Sequence, residues 1–273
     1  MSRALFIGDS HTCGYWSHPT KEGPGSYTYW NDNNYAEVYS EINNKPVAIY
    51  AMAGVTNRSY TDWMRSMFNT YNDIDEVFLC MAPFNRFTLG FDSELTDEVI
   101  PVDHFIAKME TNNGIIDRYC DHTIVGESVQ LYNKPTFEDY DKFPGFDFDA
   151  STTGLKTPDL RKHTFMQIKL FFDLNSFIEK RDFLLNVFAW DRMCDENGAK
   201  LYLFNMTERL KYPASFDYYG KLSNTVVANK TVEGYLSSKH IDHTKFFIED
   251  KEHYNRDYHT MIAEKYIPWL KNQ

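Results

Sequence analysis

Two segments far apart in the chain carry side chains that together could perform nucleophilic catalysis. The apolar residues 4–7 are followed by Gly-Asp-Ser, which places the Ser10 hydroxyl directly after a run of strand length. Much later, the apolar residues 246–248 are followed by Asp250 and, three positions on, by His253. In a nucleophilic triad a histidine deprotonates the serine hydroxyl and a carboxylate orients the histidine. The pattern therefore predicts Ser10 as the nucleophile, His253 as the base and Asp250 as the acid.

Simpler interpretations exist for each of these residues. A serine that follows a strand is often only a turn residue or a helix N-cap. A second acid and base, Asp257 and His259, lie close by, although their spacing is Asp-x-His. His240 and His243 lie three positions apart, but no set of Asp, Glu or Cys completes a metal site with them. We therefore expect no bound metal.

Apolar runs alternate with segments of helical periodicity, which indicates the architecture that would position the triad. Strands are predicted at residues 4–7, 47–52, 76–81, 200–205 and 246–248, and helices at residues 34–42, 61–69, 164–197 and 257–270. This alternation predicts a three-layer α/β fold, with a parallel five-stranded sheet and helices on both faces. Ligands bind at the carboxyl ends of the strands in such sheets, where Ser10 would lie. Asp9 is expected to hold the turn through backbone N–H groups, and Gly198 to end the long helix.

The alternation fails over residues 90–160, which contain several prolines and many aromatic residues. We interpret this region as an inserted cap, because a linker would not carry so many Phe, Tyr and Ile side chains. Residues 1–273 are predicted to form a single domain, with the cap packed over the strand ends as one wall of a cleft. A second loop-rich region is expected at residues 207–244.

The composition argues against several classes of function. The formal net charge of −11 disfavours binding to nucleic acids, which needs clustered Lys and Arg, and docking to anionic membranes. The four cysteines, Cys13, Cys80, Cys120 and Cys194, form no Cys-x-x-Cys pair and are expected to be free thiols. No apolar segment has the length of a membrane span, and no signal-peptide pattern is present. We expect a soluble protein, cytoplasmic by default, and leave its oligomeric state open.

Polar blocks follow four of the predicted strands, and their order is informative. Ser10 lies in the first block, Gly54 in the second, Asn85 in the third, and Asp250 with His253 in the last. This order resembles the SGNH hydrolase superfamily, also called the GDSL-like esterases and lipases. The superfamily is named for a Ser, a Gly, an Asn and a His in that order. The resemblance covers the core strands and the two ends of the chain, and it leaves out both loop-rich regions.

The resemblance extends past the last block. Members of the family often have an Asn, a His and an Ala at the positions that correspond here to Asn255, His259 and Ala263. This register favours Asp250 and His253 as the acid and base. The sequence departs from the family pattern at three positions: His11 follows the serine where leucine is common, and Pro83 and Arg86 flank Asn85 where glycine and aspartate are usual.

The resemblance implies a flavodoxin-like three-layer hydrolase that needs no cofactor. Ser10 would attack an ester carbonyl, while the N–H groups of Ser10 and Gly54 and the side chain of Asn85 hold the oxyanion. The implied partner is a small-molecule or carbohydrate ester, bearing a short acyl or O-acetyl group. Two alternatives stay open: an O-acyltransferase that uses the same triad, and a non-catalytic binding or structural module that has kept the fold.

Overall fold

The computed structural model describes a little over half of the chain. The described residues are 2–13, 15–16, 28–29, 34–51, 57–82, 87–90, 105–111, 114–119, 128–131, 183–207, 221–247 and 254–273. They include the strands of a central sheet and the helices that cover it. The positions that follow several strands, including four of the predicted site residues, lie outside them.

Eleven strands lie in this part of the chain, and seven of them form the central sheet. They are β1 (Arg3–Gly8), β2 (Tyr15–Trp16), β3 (Thr28–Tyr29), β4 (Val47–Ala51), β5 (Ile74–Cys80), β6 (Phe87–Gly90), β7 (Phe105–Thr111), β8 (Gly114–Tyr119), β9 (Ser128–Leu131), β10 (Lys200–Phe204) and β11 (Thr225–Val227). The central sheet has the order β11-β10-β5-β1-β4-β8-β7. All neighbouring pairs are parallel except β7 with β8.

The helices follow the strands in chain order. They are α1 (Ser10–Cys13), α2 (Tyr35–Asn43), α3 (Tyr60–Thr70), α4 (described over residues 183–196), α5 (Val232–Ser237), α6 (Arg256–Met261) and α7 (Ile267–Lys271). A π-helical turn, Ile262–Tyr266, joins α6 to α7, and 3-10 turns occupy Asn57–Ser59 and His243–Phe246. None of the helices in the described ranges has the length and apolarity needed to cross a membrane.

The order of five parallel strands identifies the type of α/β sheet. These five strands can be numbered 1 to 5 in chain order: β1, β4, β5, β10 and β11. Their order across the sheet is then 2-1-3-4-5, which is the flavodoxin-like order. The predicted parallel α/β fold is therefore confirmed. After β1 the chain first adds β4 on one side and then crosses to add β5 on the other. The reversal at β1 makes the carboxyl end of that strand the topological switch point, where ligands bind in open α/β sheets.

Alternating side chains along the strands bury both faces of the sheet. Leu5 and Ile7 of β1 face α3 and α4, whose Trp63 and Trp190 are fully buried there. Phe6, between them, faces the opposite layer of α2, α5 and α6. Successive side chains of a strand point to opposite faces, so a continuous apolar run fills both layers. The three-layer arrangement follows from this burial.

One predicted strand is wrong. Phe246 ends a 3-10 turn, and Phe247 forms only an isolated antiparallel bridge with Tyr254. The fifth parallel strand is instead β11, which pairs with β10 inside the predicted loop region 207–244. The ring of Phe247 stacks on Tyr254 and that of Phe246 lies tilted against Tyr258, so the apolar run reflects packing against the core.

The region predicted as a cap contributes strands to the fold. β7 and β8 extend the central sheet beyond β4, and β9 pairs antiparallel with β6. In the described part of the predicted cap, β7 and β8 are thus strands of the sheet itself, beside β4. The rest of the predicted cap lies outside the described residues.

The end of the long predicted helix is confirmed. Helix α4 stops before Gly198, whose φ of +68° lies in the left-handed region that favours glycine. The Ala199 N–H donates to the Cys194 carbonyl at 2.8 Å across this turn. Cys194 and Cys80 are buried free thiols, as expected. The start of the predicted helix, residues 164–182, lies outside the described part of the chain.

Candidate functional site

Ser10 lies at the switch point, immediately after β1, where it begins the short helix α1. The turn before it is fixed by Asp9, whose carboxylate accepts the His11 N–H at 3.1 Å and whose carbonyl accepts the Thr12 N–H at 2.9 Å. The expected structural role of Asp9 is therefore confirmed. Ser10 itself is only 5% exposed, so a reacting group would have to reach it through the strand-end surface.

The glycine before this turn is required by a close approach. A Cβ atom added to Gly8 would lie 2.0 Å from the Thr12 Oγ1 and 3.0 Å from the Cβ of Cys80. Helix α1 therefore folds back onto the end of β1 at a distance that only glycine allows. This packing explains the glycine at position 8, independently of any chemistry of Ser10.

A second layer of polar contacts holds α1 from behind. The Thr12 hydroxyl and the Tyr35 hydroxyl are 2.6 Å apart, and Asn34 Nδ2 donates to the Thr12 carbonyl at 2.7 Å. Burial raises the pKa of Tyr35 well above its usual range, so this phenol stays neutral. Asn34 also caps α2, with Glu37 completing a capping box. The start of α2 and the helix that begins with Ser10 are thus one hydrogen-bonded unit.

His259 is a packing residue of this layer. Its ring stacks on Tyr35 with centroids 5.8 Å apart, and the residue is 3% exposed. Asp257, its alternative acid partner in the sequence, is exposed. Because one side chain is buried and the other faces solvent, helix α6 does not present them as a pair to the same site.

An aromatic cluster joins the serine turn to the segment that carries the predicted acid and base. The His11 ring lies 5.8 Å from that of Tyr254, which stacks on Phe247 at 4.8 Å and on Tyr258 at 3.8 Å. The Tyr254 hydroxyl donates to the Glu233 carboxylate. Burial, with a further contribution from this carboxylate, raises the pKa of Tyr254, which keeps the hydroxyl a donor.

This cluster contains the two residues that flank the segment 248–253. Phe247 precedes the segment, Tyr254 follows it, and the two are joined by an antiparallel bridge. The two flanking residues therefore lie beside one another, and Tyr254 lies against His11, the neighbour of Ser10. Asp250 and His253 themselves lie outside the described residues.

A buried amide joins two other strand ends. Asn57 Nδ2 donates to the Ala82 carbonyl at 2.9 Å, and the Ala82 N–H donates to the Asn57 Oδ1, also at 2.9 Å. Asn57 is the first described residue after 52–56, and Ala82 is the last before 83–86. These two segments contain the predicted oxyanion donors Gly54 and Asn85, which lie outside the described residues.

Of the five predicted site residues, the structure therefore describes only Ser10. Ala51, which ends β4 before the Gly54 segment, is the register partner of Gly8. The sequence interpretation missed Asn57 and Tyr254. Asn57 is a polar residue just before a helix, and in a sequence alone it is indistinguishable from an ordinary turn or cap. Tyr254 directly follows the predicted base, and this position was the available signal for it.

The comparisons with known proteins add no relative. Searches against protein-family models, curated proteins and solved structures found no significant match. Within the described ranges, no group of three His, Cys, Asp or Glu side chains is placed to hold a metal ion.

Proposed function

We propose that this protein is a serine ester hydrolase of the SGNH type, with Ser10 as its nucleophile. The observation that carries the proposal is the position of Ser10 at the carboxyl end of β1, the switch point of a flavodoxin-like sheet. A hydroxyl there has the location that ligands occupy in this class of fold.

Asp250 and His253 are proposed as the acid and base. The residues that flank their segment, Phe247 and Tyr254, form an antiparallel bridge, and Tyr254 lies against His11. The residue that follows the proposed base is therefore next to the serine turn. The ring of the competing His259 is buried against Tyr35, whereas the side chain of Asp257 is exposed to solvent. These contacts support the Asp-x-x-His register over the Asp-x-His one.

The proposed reaction is acyl transfer to water in two steps. His253 takes the Ser10 proton as the oxygen attacks the ester carbonyl, and later gives that proton to the leaving alkoxide. Asp250 orients the imidazole and stabilises its protonated form. The N–H groups of Ser10 and Gly54 and the Asn85 side chain stabilise the oxyanion, and water then releases the acyl group. Loss of one such donor typically lowers the rate by about 10²–10³-fold.

The proposed substrate is a small-molecule or carbohydrate ester with a short acyl or O-acetyl group. Aromatic residues make up 16% of the chain, and carbohydrate rings pack well on aromatic faces. The buried position of Ser10 also favours a small acyl group over a bulky one.

The test is hydrolysis of short-chain aryl esters by wild type and by Ser10→Ala. Ser40→Ala is the matched control, because Ser40 is equally buried but bonds to the Lys45 carbonyl before β4, at the other edge of the sheet. We expect Ser10→Ala to abolish turnover and Ser40→Ala to retain it. Equal activity in wild type and Ser10→Ala would exclude the serine mechanism. A product that forms only when a sugar acceptor is added would indicate the acyltransferase instead.

A further inference from the structure

We infer that Asn57 is a positioning residue for the oxyanion hole, a role that rests on the proposed esterase function. Its amide joins the two chain segments that supply the predicted donors Gly54 and Asn85. The inference concerns alignment of these donors, since Asn57 itself is not placed against a reacting atom.

The contact has the form of a two-bond clamp. Both polar atoms of the Asn57 amide are used, one as donor and one as acceptor, and both bonds are 2.9 Å long. Asn57 is 2% exposed and Ala82 is fully buried, so water does not replace either bond easily. Two bonds to a single residue fix the orientation of Ala82 as well as its distance.

The clamp is placed symmetrically with respect to the predicted donors. Asn57 follows Gly54 by three positions, and Ala82 precedes Asn85 by three positions. The strand behind Ala82 is already fixed, because the Met81 N–H donates to the Phe204 carbonyl at 2.8 Å. On the other side, the chain before Gly54 is held by the pairing of Ala51 with Gly8. Asn57 therefore joins the residue that follows the Gly54 segment to the residue that precedes the Asn85 segment.

An oxyanion hole depends on such alignment. Its donors must lie about 2.7–3.1 Å from the developing charge, and a misplacement of about 1 Å can cost about 10²-fold in rate. Removing the Asn57 amide would leave the N–H and carbonyl of Ala82 buried without this partner and would release the contact between Asn57 and Ala82. The transition state would lose stabilisation, whereas the ground-state ester, which carries little charge, would bind nearly as before.

The same contacts bear on an N-glycosylation motif in the sequence. Asn57, Arg58 and Ser59 match the acceptor pattern for N-glycosylation. Both atoms of the Asn57 amide are engaged and buried in the folded chain, so the folded protein does not offer this side chain for modification.

The first test compares Asn57→Ala with Asn224→Ala. Asn224 is a matched control because its amide also donates to a backbone carbonyl, that of Ala199, at the amino end of β10. With short aryl esters, at a temperature where circular dichroism shows all variants folded, we expect Asn57→Ala to lower kcat about 10–100-fold and to change KM less than about 3-fold. Asn224→Ala should keep kcat within about 2-fold. A normal kcat in Asn57→Ala, or an effect on KM alone, would overturn the positioning role.

Asn57→Asp supplies a second readout that needs no alanine variant. An ionised carboxylate accepts the Ala82 N–H but repels the Ala82 carbonyl, whereas a protonated carboxyl both donates and accepts as the amide does. The ratio of kcat in Asn57→Asp to kcat in wild type should therefore rise as the pH is lowered from 8 to 5. The ratio removes the titration of the triad, which both proteins share. A ratio that does not rise contradicts the inference.

The outcomes separate this inference from the proposed function. If wild type shows no hydrolysis that depends on Ser10, the proposed function fails and the role of Asn57 fails with it. If wild type is active and loses activity in Ser10→Ala, but both Asn57 variants behave like wild type, only the positioning role is excluded.

Discussion

Polar side chains are used differently at the amino ends of the parallel strands, the amino edge of the sheet, and at their carboxyl ends, the carboxyl edge. At the amino edge, charges are compensated by opposite charges: Glu76 of β5 binds Lys45 at 2.7 Å and also pairs with Lys271 at the end of α7. The Tyr39 hydroxyl adds a third bond to the same carboxylate at 2.7 Å. This cluster joins three separate parts of the chain around one buried carboxylate.

A second ion cluster lies at the same edge. Arg3 at the start of β1 pairs with Asp73 at 3.2 Å and with Asp117 of β8 at 3.0 Å. Its guanidinium also lies over the Tyr71 ring, 4.1 Å from the centroid. Arg3 thereby attaches β8, from the inserted region, to the central strand of the sheet.

At the carboxyl edge, described side chains are joined chiefly to backbone groups. Asp9 holds the His11 N–H, Asn34 holds the Thr12 carbonyl, and Asn57 holds both polar groups of Ala82. Such bonds fix the paths of loops, whereas the ion clusters fasten whole elements together. The comparison indicates that substitutions in the ion clusters of the amino edge will change stability with little effect on activity, whereas substitutions that remove these loop contacts at the carboxyl edge will change activity.

The largest expected effect is at the proposed base. His253→Ala should lower kcat for aryl esters by several orders of magnitude, because triad members act as a unit, and should leave the melting temperature nearly unchanged. His259→Ala should do the reverse, since it removes a ring packed on Tyr35. Paired measurements of kcat and thermal unfolding on both variants distinguish the roles. If His259→Ala instead lost activity and His253→Ala instead lost stability, the base would be His259.

The next effect is on stability, at Glu76. Glu76→Gln should lower the free energy of unfolding by about 1–3 kcal/mol at pH 7, because it removes one partner of a largely buried ion cluster. The loss of stability could be as small as the lower end of this range because Lys45 keeps its ion pair with Asp75 and Lys271 reaches solvent. Denaturant unfolding measures this change, and kcat should stay within about 2-fold of wild type. Loss of activity without loss of stability would contradict the division between the two edges.

The pH dependence of this difference has a definite sign. Burial alone would raise the pKa of Glu76, but hydrogen bonds from Lys271, Lys45 and Tyr39 outweigh it and hold the pKa below its usual value. A carboxyl with a lowered folded-state pKa contributes stability above its unfolded pKa, and this contribution is lost as the pH falls through the folded value. The difference in the free energy of unfolding between wild type and Glu76→Gln should therefore be constant near neutral pH and narrow below about pH 4. A gap that widens on acidification would show that Glu76 is protonated in the native protein.

The smallest effect is expected at Tyr254. Tyr254→Phe removes the bond to Glu233 but keeps the ring against His11, so stability should fall by about 1–2 kcal/mol and kcat by less than about 3-fold. Tyr266→Phe is the control, because the Tyr266 hydroxyl donates to a neutral acceptor, the Lys230 carbonyl, at 2.8 Å. Tyr266→Phe should lower the stability by less than Tyr254→Phe, since hydrogen bonds to charged groups are stronger. An equal or larger loss in the control would show that the Glu233 bond contributes little.

The sequence predicted the parts of the fold that depend on continuous apolar runs. β1, β4, β5 and β10 are buried on both faces, so their composition alone identified them. β11 was missed because it is a three-residue edge strand that is only half-buried, and its two valines are too short a run to stand out in a loop-rich region. Phe246 and Phe247 were mistaken for a strand because aromatic residues that fill a core between helices have the same composition as a short strand.

The site was predictable where chain-adjacent residues form it and less so where distant residues meet. The Gly-Asp-Ser turn is local, and its close packing follows from one glycine. The Asn57–Ala82 clamp joins positions that the sequence separates by α3 and β5, and no local pattern records it. The contact of His11 with Tyr254 spans almost the whole chain; the triad pattern and the family resemblance predicted that these ends meet, but neither predicted this contact.

Covalent labelling tests the central claim most directly. Wild type, Ser10→Ala and Ser40→Ala are each treated with a fluorophosphonate, and the modified residue is located by peptide mass spectrometry. We predict one adduct per chain in wild type and in Ser40→Ala, carried by Ser10, and none in Ser10→Ala, because only an activated serine attacks the phosphorus readily. A folded wild-type protein that stays unlabelled, or that is labelled at another residue, would contradict the assignment of Ser10 as the nucleophile.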